Sequence, residues 1–261
     1  MISANFDLGG WLAALPVLLV AATFTWLLSI PMRNVAIVDS LWSLMFFAAG
    51  VMYGLAADPR APRLSIVLWM LVLWSFRLSF YITRRSAGKG EDHRYQAIRA
   101  RNEPGFKWKS LYLVFWLQAL LAWVISLPIL GAFASNRPIG LLDWAGLLLW
   151  IAGFIFEAVG DLQLARFKKN PANAGKVMDR GLWRYTRHPN YFGEFCIWWG
   201  FWLIALSAGA WWSIVGPLLI SYLLLKVSGV TLLEKDIGNR RPRYADYVLK
   251  TNAFFPGPPR K

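Results

Sequence analysis

The residues best suited to chemistry lie in one run, 181–194, which leads into an apolar segment. Arg184, Arg187 and His188 precede Pro189, which suits the first position of a helix because its missing N–H is not needed there. Free backbone N–H groups and the helix dipole favour an anion at such an end. The basic side chains therefore predict that a phosphate group binds there.

Polar side chains continue into the apolar helix that this run begins. Asn190, Tyr191 and Glu194 follow at helical spacing, so they share one face just inside the apolar zone. The pattern suits a ligand with a phosphate end in water and a ring end in the membrane.

A second polar stripe ends the preceding apolar segment. Glu157, Asp161, Leu164 and Lys168 recur at helical spacing. A solvated helix end explains such a stripe. Alternatively, its carboxylates bind ribose hydroxyls beside the cations of the 181–194 run, which is the division of labour that a dinucleotide needs.

The elements that position these residues are membrane spans. The chain is 57% hydrophobic and only 16% charged, which is too apolar for an ordinary soluble domain. One cysteine excludes an internal disulfide, and with two histidines we expect no metal site. The net charge of +14 lies in loops between apolar segments, which favours anionic lipid over nucleic acid as its partner.

Apolar segments of spanning length predict an all-α integral membrane protein with seven transmembrane helices in a single domain, 1–261. Alternating the loops leaves only Arg60, Arg63 and Arg137 on one side, with Arg77 and Lys226 inside spans. The remaining basic residues share the other side, which predicts an outside N-terminus and a cytoplasmic C-terminus. The predicted spans are 9–30, 35–57, 64–83, 111–134, 141–161, 191–207 and 211–233.

Other polar residues leave two interpretations open. Asp39 and Arg77 either pair to pin two helices together, or place one group near a substrate carbonyl. The charged loop 88–95 is a solvated turn with an exposed His93, or it closes over a cofactor. Tyr244 and Tyr247 either stack on a planar ring or anchor at the interface.

Several motifs together resemble the steroid 5α-reductase-like membrane proteins, and most closely their bacterial branch. The resemblance covers essentially the full chain and extends more loosely to sterol C14-reductases and to isoprenylcysteine and phospholipid methyltransferases. The matching marks are Val38-Asp39-x-x-Trp42, Arg77-Leu78, Gly90-Glu91-Asp92-x-Arg94-Tyr95, Asp161-x-Gln163, Arg187-His188-Pro189-Asn190-Tyr191-x-Gly193-Glu194 and Ser228-Gly229-Val230-x-Leu232-Leu233-Glu234-Lys235.

This resemblance implies NADPH in a pocket that opens to the cytoplasm of a bacterial inner-membrane protein. It implies a cofactor-binding half, 111–261, and substrate-side helices, 1–110. The residues expected at the cofactor are Asp161, Lys168, Trp183, Arg184, Tyr185, Arg187, His188, Asn190, Tyr191, Glu194, Glu234, Tyr244 and Tyr247.

The resemblance also implies reduction of an enone C=C bond in a lipid or steroid-like molecule. The family's acid group corresponds to Asp39, whereas Trp74 stands where the family has a tyrosine. Tryptophan cannot donate an acidic proton, so Tyr81 becomes the substitute candidate. A carboxyl group at membrane depth favours the neutral, proton-donating form.

Two other functions stay open. An S-adenosylmethionine-dependent methyltransferase would use the same pocket, although its ligand has no phosphates to need such dense cations. A non-catalytic lipid-binding membrane protein would bind neither cofactor. The sequence names neither the substrate nor the oligomeric state.

Overall fold

A computed structural model describes residues 5–227, 234 and 244–260, and this part of the chain is helical with no strand. The 3-10 turn Val35–Ile37 precedes α2, and the π turn Leu111–Trp116 lies inside α5. The helices are α1 Leu8–Met32, α2 Val38–Ala56, α3 Leu64–Ser86, α4 His93–Asn102, α5 Phe106–Phe133, α6 Leu141–Lys169, α7 Pro189–Ala208, α8 Trp211–Val227 and α9 Tyr244–Lys250.

Among the described residues, six helices are long and apolar enough to cross a membrane, namely α1, α2 with its preceding turn, α3, α5, α6 and α7. The predicted all-α membrane fold is therefore confirmed at this level. The seventh predicted span, 211–233, is helical as α8 up to Val227, and the rest of it lies outside the described residues. The count of seven stays a prediction.

Local sequence explains where several helices begin and end. The Asp7 carboxylate caps α1 by accepting from the Gly10 N–H at 2.9 Å, and Asp92 caps α4 in the same way. Helix α6 ends on Arg166, Lys168 and Lys169, whose charges complement the helix dipole. Helix α7 begins at Pro189, as the sequence predicted.

Contacts divide the chain into two compact units. The first holds residues up to 139 with 205–215, and the second holds 140–204 with the described residues from 216 onward. In the first unit, α2 packs on both α1 and α3. Trp11 of α1 stacks on Trp123 of α5 with ring centroids 3.7 Å apart, which ties these two helices together.

Candidate functional site

Glycines let α6 and α7 of the second unit approach at backbone distance. A Cβ atom on Gly193 would lie 2.5 Å from both the backbone nitrogen of Glu157 and the carbonyl oxygen of Gly153. A Cβ on Gly146 would lie 2.7 Å from the carbonyl oxygen of Gly200. Small residues permit such contact between membrane helices. We call this contact of Gly146 and Gly153 with Gly193 and Gly200 the glycine seam; it fixes the two helices against each other.

The seam holds acidic side chains away from water. Glu157 and Asp161 are only 2% and 3% exposed, and Glu194 is also buried. The Asn190 amide of α7 donates to the Asp161 carboxylate of α6 at 3.3 Å. A solvated helix end is therefore the wrong interpretation for Glu157 and Asp161. Among the described residues, these acids form no group that could hold a metal ion.

Arg187 is the centre of a dense set of hydrogen bonds in the same unit. Its Nε and Nη2 donate to the two carboxylate oxygens of Glu234 at 2.7 and 2.9 Å. Its Nη1 donates to the carbonyl oxygens of Thr251 at 2.7 Å and Val248 at 3.3 Å. His188 Nε2 lies 2.9 Å from Glu234, and its ring stacks on Tyr191. We call Arg187, His188 and Glu234 the tail cluster.

Contacts within the tail cluster lower the pKa of Glu234 and raise the pKa of Arg187. Desolvation raises the pKa of Glu234, but hydrogen bonds from His188 and Arg187 outweigh it and lower the pKa to about 2. Desolvation lowers the pKa of Arg187, but Glu234 more than compensates and raises it above its ordinary value. Both groups therefore stay ionised at neutral pH.

Residues near the C-terminus form hydrogen bonds with the loop that precedes α7. Tyr247 donates its hydroxyl proton to the carbonyl oxygen of Trp183, whose indole N–H donates to Gly160 at 3.0 Å. Thr186 Oγ1 donates to the carbonyl of Phe254 at 2.7 Å. Tyr244 and Tyr247 are both buried, so interfacial anchoring is the wrong interpretation for them.

The other expected cofactor residues are open to solvent. Arg184, Tyr185 and Lys168 are exposed. Arg187 and His188 already bind Glu234, so fewer of their donors are left for a phosphate group.

The first unit contains a second polar group, which we call the Asp39 cluster. Arg94 Nη2 donates to Asp39 Oδ2 at 2.8 Å, and the Tyr95 hydroxyl donates to Asp39 Oδ1. The Gln118 amide donates to the Tyr95 oxygen at 3.1 Å. Arg94 and Tyr95 are therefore partners of the Asp39 carboxylate, and a pair between Asp39 and Arg77 stays a prediction.

The loop before α4 brings these groups to Asp39. Glu91 accepts from the Val35 N–H at 2.9 Å and from Arg99 at 2.8 Å, which ties the loop to the start of α2. His93 is exposed as expected. A wholly solvated loop is nevertheless wrong, because Tyr95 is buried.

Sequence reasoning missed Tyr95, Arg94 and Gln118 as partners of Asp39. The motif Gly90-Glu91-Asp92-x-Arg94-Tyr95 was the available signal, since its mixed charges already departed from a plain turn. Trp74 is a fully buried core residue against Phe46. Tyr81 lies under the Arg85 guanidinium at 5.5 Å, and its role in catalysis stays a prediction.

Comparison with known proteins places the chain in a class. It belongs to the family described as proteins of unknown function, DUF1295, which matches residues 25–251 and is steroid 5α-reductase-like. It is 28% identical over 269 residues to the uncharacterized protein C594.04c of Schizosaccharomyces pombe, covering 88% of this chain and 75% of that protein. No solved structure matches.

A shorter part of the chain is similar to a protein named as a methyltransferase. Over 53 residues the chain is 42% identical to a probable O-methyltransferase, ustE, of Ustilaginoidea virens. The match covers 20% of this chain and 18% of that protein.

Proposed function

We propose that the protein is an NADPH-dependent membrane oxidoreductase that reduces the C=C bond of an enone in a lipid or steroid-like substrate. The observation that carries the proposal is the Tyr95–Asp39 pair in the first unit. A reduction of this kind needs a proton donor beside the substrate carbonyl, and a buried phenol is such a donor.

Tyr95 keeps its proton at neutral pH. Burial, and next the charge of Asp39, raise the pKa of Tyr95 well above its ordinary value. The phenol is therefore a hydrogen-bond donor rather than a base.

Each member of the Asp39 cluster has a role in this proposal. Arg94 holds the Asp39 carboxylate, and Gln118 fixes the hydroxyl of Tyr95. A substrate carbonyl that takes the place of Asp39 Oδ1 as acceptor would be polarised by the phenol. Tyr95 would give its proton to the oxygen of the developing enolate, and a proton from water, relayed by the Asp39 carboxylate, would restore the phenol.

The residues that we propose for cofactor binding lie in the second unit. Arg184 and Lys168 would bind the phosphates, while Asn190 and Asp161 would bind ribose hydroxyls. NADPH, when bound, supplies the hydride that adds to the β-carbon of the enone. The tail cluster would fix the backbone of the loop before α7, and therefore the position of Arg184.

The orientation belongs to the same proposal. Seven spans, an outside N-terminus and a cytoplasmic C-terminus put the cofactor residues on the cytoplasmic side of a bacterial inner membrane. The support is the distribution of basic residues, which are dense in the loops that contain α4 and residues 170–188. Tags that placed residues 170–188 in the periplasm would contradict this orientation.

Direct binding tests the cofactor. Purified protein in detergent should bind NADPH, and Asn190→Ala and Glu194→Gln should each weaken that binding by about tenfold, the effect of one lost hydrogen bond. Asn102→Ala, which removes an amide from α4, is the matched control and should bind as wild type. Unchanged affinity in both test variants would refute the placement of the cofactor.

Turnover tests the proton donor. With a panel of enone lipids, Asp39→Asn and Tyr95→Phe should slow NADPH oxidation by about 100-fold and leave NADPH affinity unchanged. Loss of affinity with little loss of turnover would make Asp39 a binding or packing residue.

A methyltransferase is the second candidate, and the similarity to the probable O-methyltransferase favours it. S-adenosylmethionine has no phosphates, so the internal hydrogen bonds of Arg187 do not count against it. Titration with both ligands separates the candidates: binding of S-adenosylmethionine alone rejects the reductase. Binding of neither would indicate a non-catalytic lipid-binding protein.

A further inference from the structure

The lipid-facing surface of the first unit carries a groove along α1 that the proposed reaction does not use. The groove is lined by Leu19, Val20, Thr23, Phe24 and Leu27. Val20 and Phe24 are 68% and 61% exposed, although they lie within a span. Because the lining is almost wholly apolar, it suits a hydrocarbon chain.

Trp116 of α5 contacts this groove, and two further aromatic residues of α5 indicate its depth. The Trp116 indole donates to Thr23 Oγ1 at 2.9 Å. One and two turns towards the start of α5, Tyr112 and Trp108 are also exposed. The Trp26 indole donates to the backbone carbonyl of Lys107 at 3.0 Å. Tryptophan and tyrosine favour the headgroup level of a bilayer, so the groove descends from that level into the hydrocarbon.

Cations lie at the headgroup end of the same helix pair. The Lys107 ammonium lies 5.0 Å from the centre of the Trp108 ring, and both side chains are exposed. Arg33 ends α1 in the left-handed region at φ 48°, where a glycine would be unstrained. Glu103, which accepts from the Phe106 N–H, is the acidic residue at the start of α5, and the cations Arg33, Lys107 and Lys109 outnumber it.

From these features we infer that α1 and the start of α5 form a binding site for one anionic phospholipid. An acyl chain would lie along Val20 and Phe24, and the phosphate would lie at Lys107. Charge complementarity selects the anionic headgroup, since each basic residue near a membrane surface adds to its attraction. A zwitterionic lipid with the same chains would gain the groove without this charge term.

Thermal stability of the full chain in detergent tests the site without any cofactor. Added phosphatidylglycerol should raise the apparent Tm of the wild type more than phosphatidylcholine with the same acyl chains. Lys107→Gln should weaken the phosphatidylglycerol effect by about fivefold in apparent affinity. Lys89→Gln, an exposed lysine of another loop, is the matched control and should respond as wild type.

A second pair of variants tests the acyl chain. Val20→Trp should fill the groove and abolish the preference, whereas Leu148→Trp, at a site of similar exposure on α6, should keep it. Equal effects of the two lipids on the wild type, or of Lys107→Gln and Lys89→Gln, would overturn the inference. So would glycerol 3-phosphate stabilising the protein as much as the whole lipid.

Discussion

The tail cluster and the Asp39 cluster use the same chemistry in different ways. Each contains a carboxylate bonded to a guanidinium and to one more ring side chain. In the tail cluster, Arg187 also donates to two backbone carbonyls, so it joins three parts of the chain. In the Asp39 cluster, one Nη of Arg94 and one phenol serve the carboxylate.

The difference separates a structural role from the chemical role that we propose for the Asp39 cluster. A guanidinium that is saturated by its own chain stabilises the fold, and little of it is left for a ligand. A carboxylate with one guanidinium and a protonated phenol can exchange a partner at small cost. The motif that dominates the sequence therefore mainly organises the second unit, while a less prominent loop supplies the residues suited to proton transfer.

Removing Arg187 gives the largest expected effect. Arg187→Ala leaves Glu234 and two carbonyls without their donor in a buried place, and it should lower the free energy of unfolding by about 3–5 kcal/mol. Thermal unfolding in detergent measures this loss. Arg94→Ala is the comparison and should cost less; an equal loss would remove the distinction between the clusters.

Low pH should give the next largest effect, because it removes the contribution of Glu234 to the stability of the fold. The pKa of Glu234 is about 2 in the fold against an ordinary 4.5, so its contribution is complete above the unfolded value and is lost as pH falls towards 2. The shift corresponds to about 3 kcal/mol. Apparent Tm measured from pH 6 downward should fall more steeply for wild type than for Glu234→Gln. Parallel curves would contradict the role assigned to Glu234.

The glycine seam should give an intermediate effect. A Cβ on Gly193 meets the backbone of both Gly153 and Glu157, which cannot rotate away, so Gly193→Ala should force the helices apart and cost about 1–3 kcal/mol. Gly9→Ala in α1 is the control, because its Cβ would meet an ordinary contact at 3.6 Å. Apparent Tm compares the two, and an unchanged value for Gly193→Ala would show that the seam is looser than described.

Periodicity and composition predicted the helices well, because a bilayer imposes its thickness on every span. The start of α7 at Pro189 also followed from local chemistry. The seam did not emerge, although Gly146, Gly153 and Gly160 recur every seven residues and Gly193 and Gly200 repeat that spacing. A glycine repeat shows which face is small, but not which helix packs against it.

Long-range partners were harder still to predict. Asp39 and Tyr95 are distant in sequence, and charge alone made Arg77 an equally reasonable partner for Asp39. Likewise, Arg187 looked like a phosphate ligand because nothing local showed that Glu234 and the carbonyl of Thr251 would take its donors. Such partners depend on tertiary packing, which spacing within one helix does not encode.

Tyr95→Phe should give the smallest change in stability and sharpen the comparison most. The variant loses the hydrogen bond to the charged Asp39 acceptor and the one from Gln118, together about 2 kcal/mol, and Arg94 still donates to Asp39. Apparent Tm should therefore fall much less than in Arg187→Ala. A loss as large as that of Arg187→Ala would make the Asp39 cluster a second structural tie. A small loss fits a functional group, because residues retained for chemistry need not add much to the stability of the fold.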